Sequence, residues 1–183
     1  MRQRIFWNIF LSSLIAALLL GGVILFAQYR AFEKLVFDEL AVECEYVETG
    51  LLSATDEQTY LRSLPSSDRL TLINADGTVV FDSKSDVSKL PNHADRPEVI
   101  AAQQEGSGTS SRFSETQLIR NFYYAKQLPD GRILRIADTQ QSVIGMLNAM
   151  LPTMLLILFT ITLVSLFFSR YAAKTIVQPI NAL

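Results

Sequence analysis

The sequence has one cysteine, Cys44, and one histidine, His93. A lone thiol excludes an internal disulfide framework. In an oxidising compartment it is either buried or open to a second copy of the chain. A lone imidazole excludes a multi-histidine metal site, leaving a hydrogen-bonded loop residue or a pH sensor with an ordinary pKa of ~6.5. Charge is missing from two long stretches: the 25 residues Ile5–Tyr29 and the 31 residues Thr139–Ser169. Acidic residues are missing from both ends, where Arg2, Arg4, Arg170 and Lys174 stand without a carboxylate. All 18 acidic residues and the other twelve basic ones lie between the uncharged stretches.

A bilayer core of ~30 Å takes about 20 helical residues, so each uncharged stretch is long enough to span it. The first is also too long for the apolar part of a secretory signal, ~7–15 residues, and an uncleaved anchor is expected. Basic short flanks stay in the cytoplasm. The expected organisation is therefore a cytoplasmic start at 1–4, a transmembrane helix at 5–27, an extracytoplasmic domain at 28–146, a second transmembrane helix at 147–169, and a cytoplasmic segment at 170–183. The middle segment has a net charge of −6 and the ends +4. About 118 residues between spans suffice for one compact domain. The final turn, with Pro179 ahead of Ile180 and Leu183, reads as the opening of a further helix, and the chain is expected to be a piece of a longer protein.

In the first span, Ser13, Ala17 and Gly21 recur at steps of four, a spacing that lets membrane helices approach closely. Beyond it, Gln28–Leu52 continues as a helix with one apolar stripe of Val36, Leu40, Cys44, Val47 and Leu51. Burial of Cys44 is expected from its place on that stripe. Eight acidic and two basic residues fall between Gln28 and Glu57. This surplus is either a solvated face or a divalent-cation bridge to anionic lipid, which would need converging carboxylates. A short helix is predicted at Asp56–Leu64, before Pro65. Strands follow at Arg69–Asn74 and Thr78–Asp82, joined by Ala75-Asp76-Gly77, a hairpin signal. Asp95-Arg96-Pro97-Glu98 has the order of a capping box and opens a helix to Glu105. Strands at Thr109–Ser114, Asn121–Leu128 and Arg132–Asp138 complete a sheet. An exit helix from about Gln140 runs into the second span, with Pro152 as a kink. The predicted fold is α+β, a five-stranded antiparallel sheet with a long N-terminal helix, its helices on one face, flanked by two transmembrane helices.

Three blocks, RLTLINADGTVVFDS, NHADRPEVIAAQQEGSGTSSRFS and FYYAKQLPDGRILRIADT, resemble the extracytoplasmic PAS-like or single-Cache-like domain of PhoR-type sensor histidine kinases. VQPINAL resembles the start of a HAMP linker, with Pro179 at the family's proline. The resemblance implies a homodimeric receptor in a bacterial plasma or inner membrane. It would pass a signal through the second span to a cytoplasmic kinase that phosphorylates its own histidine and then a response regulator. No kinase motif occurs in these 183 residues, so the piece itself is expected to be no enzyme; ATP and magnesium would belong to the kinase part. No nucleic-acid partner is expected. A chemoreceptor or a diguanylate cyclase receptor shares the same plan, and a membrane-anchored adhesion protein is the alternative from another class.

The resemblance also implies where a ligand would sit, against the sheet beneath the helix preceding the third strand. Arg96 falls where amino-acid-binding relatives hold a carboxylate, and His93, Arg112, Tyr123 and Tyr124 are the candidates around it. A guanidinium fork suits a carboxylate; the alternative is that Arg96 pairs with Asp95 or Glu98 and the tyrosines fill the core. Pro152 and Pro179 are the candidate relay points, and a proline at Ser142 or Val143 is expected to uncouple domain from output.

Overall fold

The computed structural model describes residues 2–65, 68–114, 119–138 and 143–180. Four α-helices and five strands alternate as α1 (Arg2–Ser53), α2 (Glu57–Ser63), β1 (Arg69–Ile73), β2 (Val79–Asp82), α3 (Pro97–Glu105), β3 (Ser107–Ser114), β4 (Ile119–Gln127), β5 (Ile133–Asp138) and α4 (Val143–Ile180). Chain contacts divide them into two compact units, Met1–Ala31 with Ile144–Leu183, and Phe32–Val143.

In the second unit the strands form one antiparallel sheet in the order β2-β1-β5-β4-β3. Its turns are where the sequence asks for them. Gly77 and Gly131 both adopt φ near +85°, a region open to glycine and costly for other residues. Gly77 is also crowded: a Cβ there would lie 2.3 Å from the Asn92 side chain and 2.5 Å from the Ala94 backbone nitrogen. The loop after β2 is latched to this turn, because His93 N–H donates to the Gly77 carbonyl at 2.8 Å and Asn92 Nδ2 to the Asp76 carbonyl at 3.0 Å.

The two sides of the sheet are filled differently. On one, Leu70, Leu72, Phe81, Phe122, Leu134 and Ile136 pack against Val36, Leu40, Cys44, Val47 and Leu51 of α1 and Leu61 of α2. The predicted stripe of α1 is thus the core stripe, each large aliphatic side chain being worth about 1.5–3 kcal/mol when fully buried. On the other side, Ile73, Val79, Ala125 and Ile133 pack against Val99 and Ala102 of α3. The expectation of helices on one face is therefore corrected. Period-two alternation gives β1 and β5 apolar residues on both sides, and α3 covers the second. Gly108 permits its close approach, since a Cβ there would meet the Glu98 carbonyl at 2.4 Å and the Ala102 backbone nitrogen at 2.9 Å.

One smaller expectation also changes. Asp95 is not the cap of α3: the N-cap is Arg96 in an extended conformation without a side-chain cap bond. Glu98 consequently closes no capping box; its side chain turns under the helix. The long helix runs to Ser53, as expected to within a residue, and Gly50 within it leaves room for Tyr60, whose hydroxyl oxygen is 2.0 Å from where a Cβ would be.

In the first unit, α1 and α4 each contain a stretch long and apolar enough to cross a membrane. Ser13 and Ser165 hydrogen-bond through their hydroxyls, Ser169 Oγ donates to the Phe6 carbonyl at 3.0 Å, and Ala17 is buried. Ala17, Gly21 and Gly22 border an apolar groove of about 260 Å³ with Met154, Ile157, Leu158 and Ile161. Trp7 packs edge-on against Phe6 and Phe10. The backbone of α4 is helical through both Pro152 and Pro179. Ser142 lies outside the described residues, and Val143 is the first residue of α4.

Candidate functional site

The apolar strands around them place two charged residues inside the sheet's α3 side. Arg135 lies between Leu134 and Ile136 on β5 and alternates to the face opposite theirs, where α3 seals it to 3% exposure. Glu98, one residue into α3 from Pro97, has no exposed surface. Its carboxylate pairs with Arg112 of β3 on one oxygen and with Arg135 Nη1, at 3.4 Å, on the other. The Tyr123 ring lies beneath both guanidiniums, 4.7 Å from Arg112 and 5.3 Å from Arg135, so cation–π attraction adds to the ion pairs.

The network extends toward β2. Arg135 Nη2 donates to Thr71 Oγ1 at 3.3 Å, and Thr71 Oγ1 to Asp82 Oδ2 at 3.0 Å. Asp82 accepts in addition from Arg69 Nε at 2.8 Å and from the backbone of Lys84 and Ser85. Asp82 is thereby saturated. Three nitrogens nearby are not: Arg135 Nε, Arg96 Nε and His93 Nδ1 are buried with no hydrogen-bond partner among the described residues. Arg96 makes a looser ion pair with the exposed Asp95, 3.7 Å from Nε.

His93 is buried, and burial together with Arg135, Arg96 and Arg69 pushes its pKa down to about 4, against the opposing charge of Glu98. It is a neutral imidazole at pH 7. Burial likewise lowers the pKa of Arg135, with Glu98 opposing.

Of the residues singled out in the sequence, His93, Arg96, Arg112 and Tyr123 belong to this side of the sheet. Tyr124 does not. It packs against the α1 side with Phe122, as alternation along β4 requires. Cys44 sits in the α1 core with its Sγ 4.0 Å from the Leu134 carbonyl, and burial raises its thiol pKa to about 12.

No protein-family model matches the chain, and no curated protein does. Among solved structures, the "extracellular domain of the putative histidine kinase rpHK1S-Z16" matches 55% of this chain and 39% of its own, at 16% identity and a TM-score of 0.35. The match thus spans about two fifths of that protein's length. A likeness at that level says nothing of what this chain binds.

Sequence reasoning passes over Arg135, Thr71 and Asp82, and offers Glu98 as a partner for Arg96, where the structure pairs it with Arg112 and Arg135. Arg135 reads as the outward residue of a half-buried strand, and Glu98 as a helix cap. Among the described residues, no three acidic, cysteine or histidine side chains cluster as metal ligands. The acidic run of α1 and α2 is partly spent inside the domain: Glu48 pairs with Lys126 at 2.6 Å, Glu33 with Arg120 at 3.8 Å and Glu57 with Arg132 at 2.7 Å. Asp56 caps α2 through Gln58 N–H and Thr59 N–H.

Proposed function

We propose that this chain is the sensory input and transmembrane part of a two-component receptor. In this reading its Phe32–Val143 unit lies outside a bacterial membrane, and a cytoplasmic histidine kinase acts on a response regulator. One observation carries the reading: α1 is a single helix from Arg2 to Ser53. Its first half is an apolar run of membrane length, and its second half supplies the core stripe of the α+β unit. A rearrangement of the sheet against that stripe has a helical route into the bilayer, and β5 leads by a short connection to α4. The basic ends at Arg2, Arg4, Arg170 and Lys174 favour a cytoplasmic location for both termini. Pro179 would open the HAMP relay, and ATP and magnesium would be bound by the kinase alone.

The stimulus this site suits is a small anion, with a carboxylate first. Arg69, Arg96, Arg112 and Arg135 outnumber the buried carboxylates Glu98 and Asp82. The nitrogens of Arg96, Arg135 and His93 that lack a hydrogen-bond partner among the described residues are where an acceptor would be stabilised.

The test is a chimaera in which residues 1–183 replace the input part of a HAMP-containing histidine kinase of known output. Mono- and dicarboxylates, amino acids, phosphate and sulfate are then added in turn. The reading expects output to change with at least one anion, and Arg96→Ala to blunt the response. Constant output across the panel, from a chimaera shown to be inserted and folded, would sink the ligand; an output insensitive also to substitutions in the β5–α4 connection would sink the sensory role.

A further inference from the structure

Within the Phe32–Val143 unit, β4 runs alongside α1. Arg120 near the start of β4 pairs with Glu33 at 3.8 Å, and Lys126 near its finish pairs with Glu48 at 2.6 Å. From Arg120 to Lys126 a strand advances about 20 Å, and from Glu33 to Glu48 a helix advances about 22 Å. The near-equal lengths set strand and helix side by side, both running away from Phe32. At the Phe32 end, the Phe122 ring lies edge-on to Phe32 and Phe37, with centroids 6.4 and 5.5 Å away. Phe122 also pairs across the sheet with Asp138, the last residue of β5. Residues 139–142 alone separate Asp138 from α4. The chain thus enters and leaves this unit at one end of the sheet.

The β3–β4 hairpin closes at that same end and reaches past it. Phe113 pairs with Arg120, two residues beyond the Phe122–Asp138 pair, or about 7 Å along the strand. Ser111 Oγ donates to Glu33 at 3.4 Å, so alternation puts Phe113, two residues on, on the α1 side of the sheet as well. It is 49% exposed. A single exposed ring needs no partner; the place of this one supplies it. Glu33 stands four residues after Tyr29, where the uncharged run ends, and four residues reach at most about 14 Å in any conformation. Charge along α1 is sorted in the same sense. Arg30 and Lys34 are exposed near the end of the run, and all seven charged residues from Asp38 to Glu57 are carboxylates. Cations near the bilayer suit lipid phosphate, and carboxylates farther off avoid it.

We propose that the closed end of the β3–β4 hairpin is a membrane-docking surface, on which Phe113 enters the phospholipid headgroup layer. The chain itself selects the occupant, because both connections at this end lead into helices of membrane length. Aromatic rings settle at that level of a bilayer, where one side is apolar and the other wet. Docking of this kind requires α1 and α4 to span, as read above, and is independent of the anion site.

Photo-cross-linking of the full chain in phospholipid liposomes tests this. A photoreactive phenylalanine analogue replaces Phe26, Tyr46, Leu52 or Phe113, one per chain, and lipid attached after irradiation is read by mass. All four positions are exposed. Phe26 lies in the uncharged run, and Tyr46 and Leu52 lie on α1 beyond Asp38. Positions 26 and 113 should both give lipid adducts, with 113 several-fold above 46 and 52. An adduct at 26, with 113 no higher than 46 and 52, would overturn the docking and leave the spans standing. No adduct at 26 would overturn the spanning reading and the docking with it.

Discussion

His93 is held neutral by the company it keeps. Its imidazole is buried beside guanidiniums of Arg135, Arg96 and Arg69, and its pKa falls to about 4 from 6.5. The unfolded chain therefore takes up a proton first as the pH drops. The contribution to stability is fully present above pH 6.5, is lost progressively as the pH falls toward 4, and changes no further below that. A shift of this size corresponds to roughly 3 kcal/mol. Urea unfolding of the chain in micelles at pH 7 and pH 4.5 should show wild type losing clearly more stability than His93→Asn over that interval; equal losses would show that His93 titrates normally in the folded state. Cys44 is the opposite kind of lone residue. It is buried in an apolar core, where its sulfur packs as a small hydrophobe, and its place on the stripe made that legible in the sequence.

At the scale of elements, much could be read in advance, because periodicity and turn chemistry agree. The long helix follows from a stripe at steps of three and four. The hairpin follows from Asp76-Gly77 and the β4–β5 turn from Asp130-Gly131. What could not be read is which side of the sheet α3 covers. The residues that decide it look like something else: Arg135 keeps strand alternation as a solvated residue would, and Glu98 stands three beyond Asp95 as a capping residue would. Only with the strands assembled does Glu98 stand against Arg112 and Arg135. The pair is a clamp between helix and sheet, and a clamp of buried charges is asymmetric in its energetics. Removing one partner strands the other in a low-dielectric site, at about 3–5 kcal/mol. Replacing both with apolar groups of similar size is often close to neutral. Glu98→Leu should therefore destabilise strongly, and Glu98→Leu with Arg135→Met should recover much of the loss, measured by chemical unfolding. A double variant no better than the single one would show that the two residues do not act as a pair.

At the scale of the whole molecule, the distribution of charge makes the sharpest statement. Carboxylates stop where the uncharged runs begin, and the four outermost basic residues have none beside them. On the proposed topology, an impermeant thiol reagent applied to intact cells should label Glu105→Cys, on an exposed position of the Phe32–Val143 unit, and spare Tyr171→Cys, exposed just after Arg170 at the end of the second membrane-length stretch. Labelling of Tyr171→Cys with Glu105→Cys protected would reverse the topology. Cys44 is buried and should remain silent in both.

Tryptophan occurs in one of the two units alone. The single tryptophan is Trp7, among Phe6 and Phe10 in the apolar half of α1, and the Phe32–Val143 unit has no tryptophan but holds four of the six tyrosines, Tyr46, Tyr60, Tyr123 and Tyr124. Light that excites tryptophan alone is therefore blind to the folding of the α+β unit and reports the surroundings of the membrane-length helix. Tyr123, pressed beneath two guanidiniums, colours the other signal. One unmodified chain thus carries two optical channels: a change in the tryptophan signal marks an event at the membrane-length helix, and the tyrosine signal is weighted toward the domain by four of its six rings.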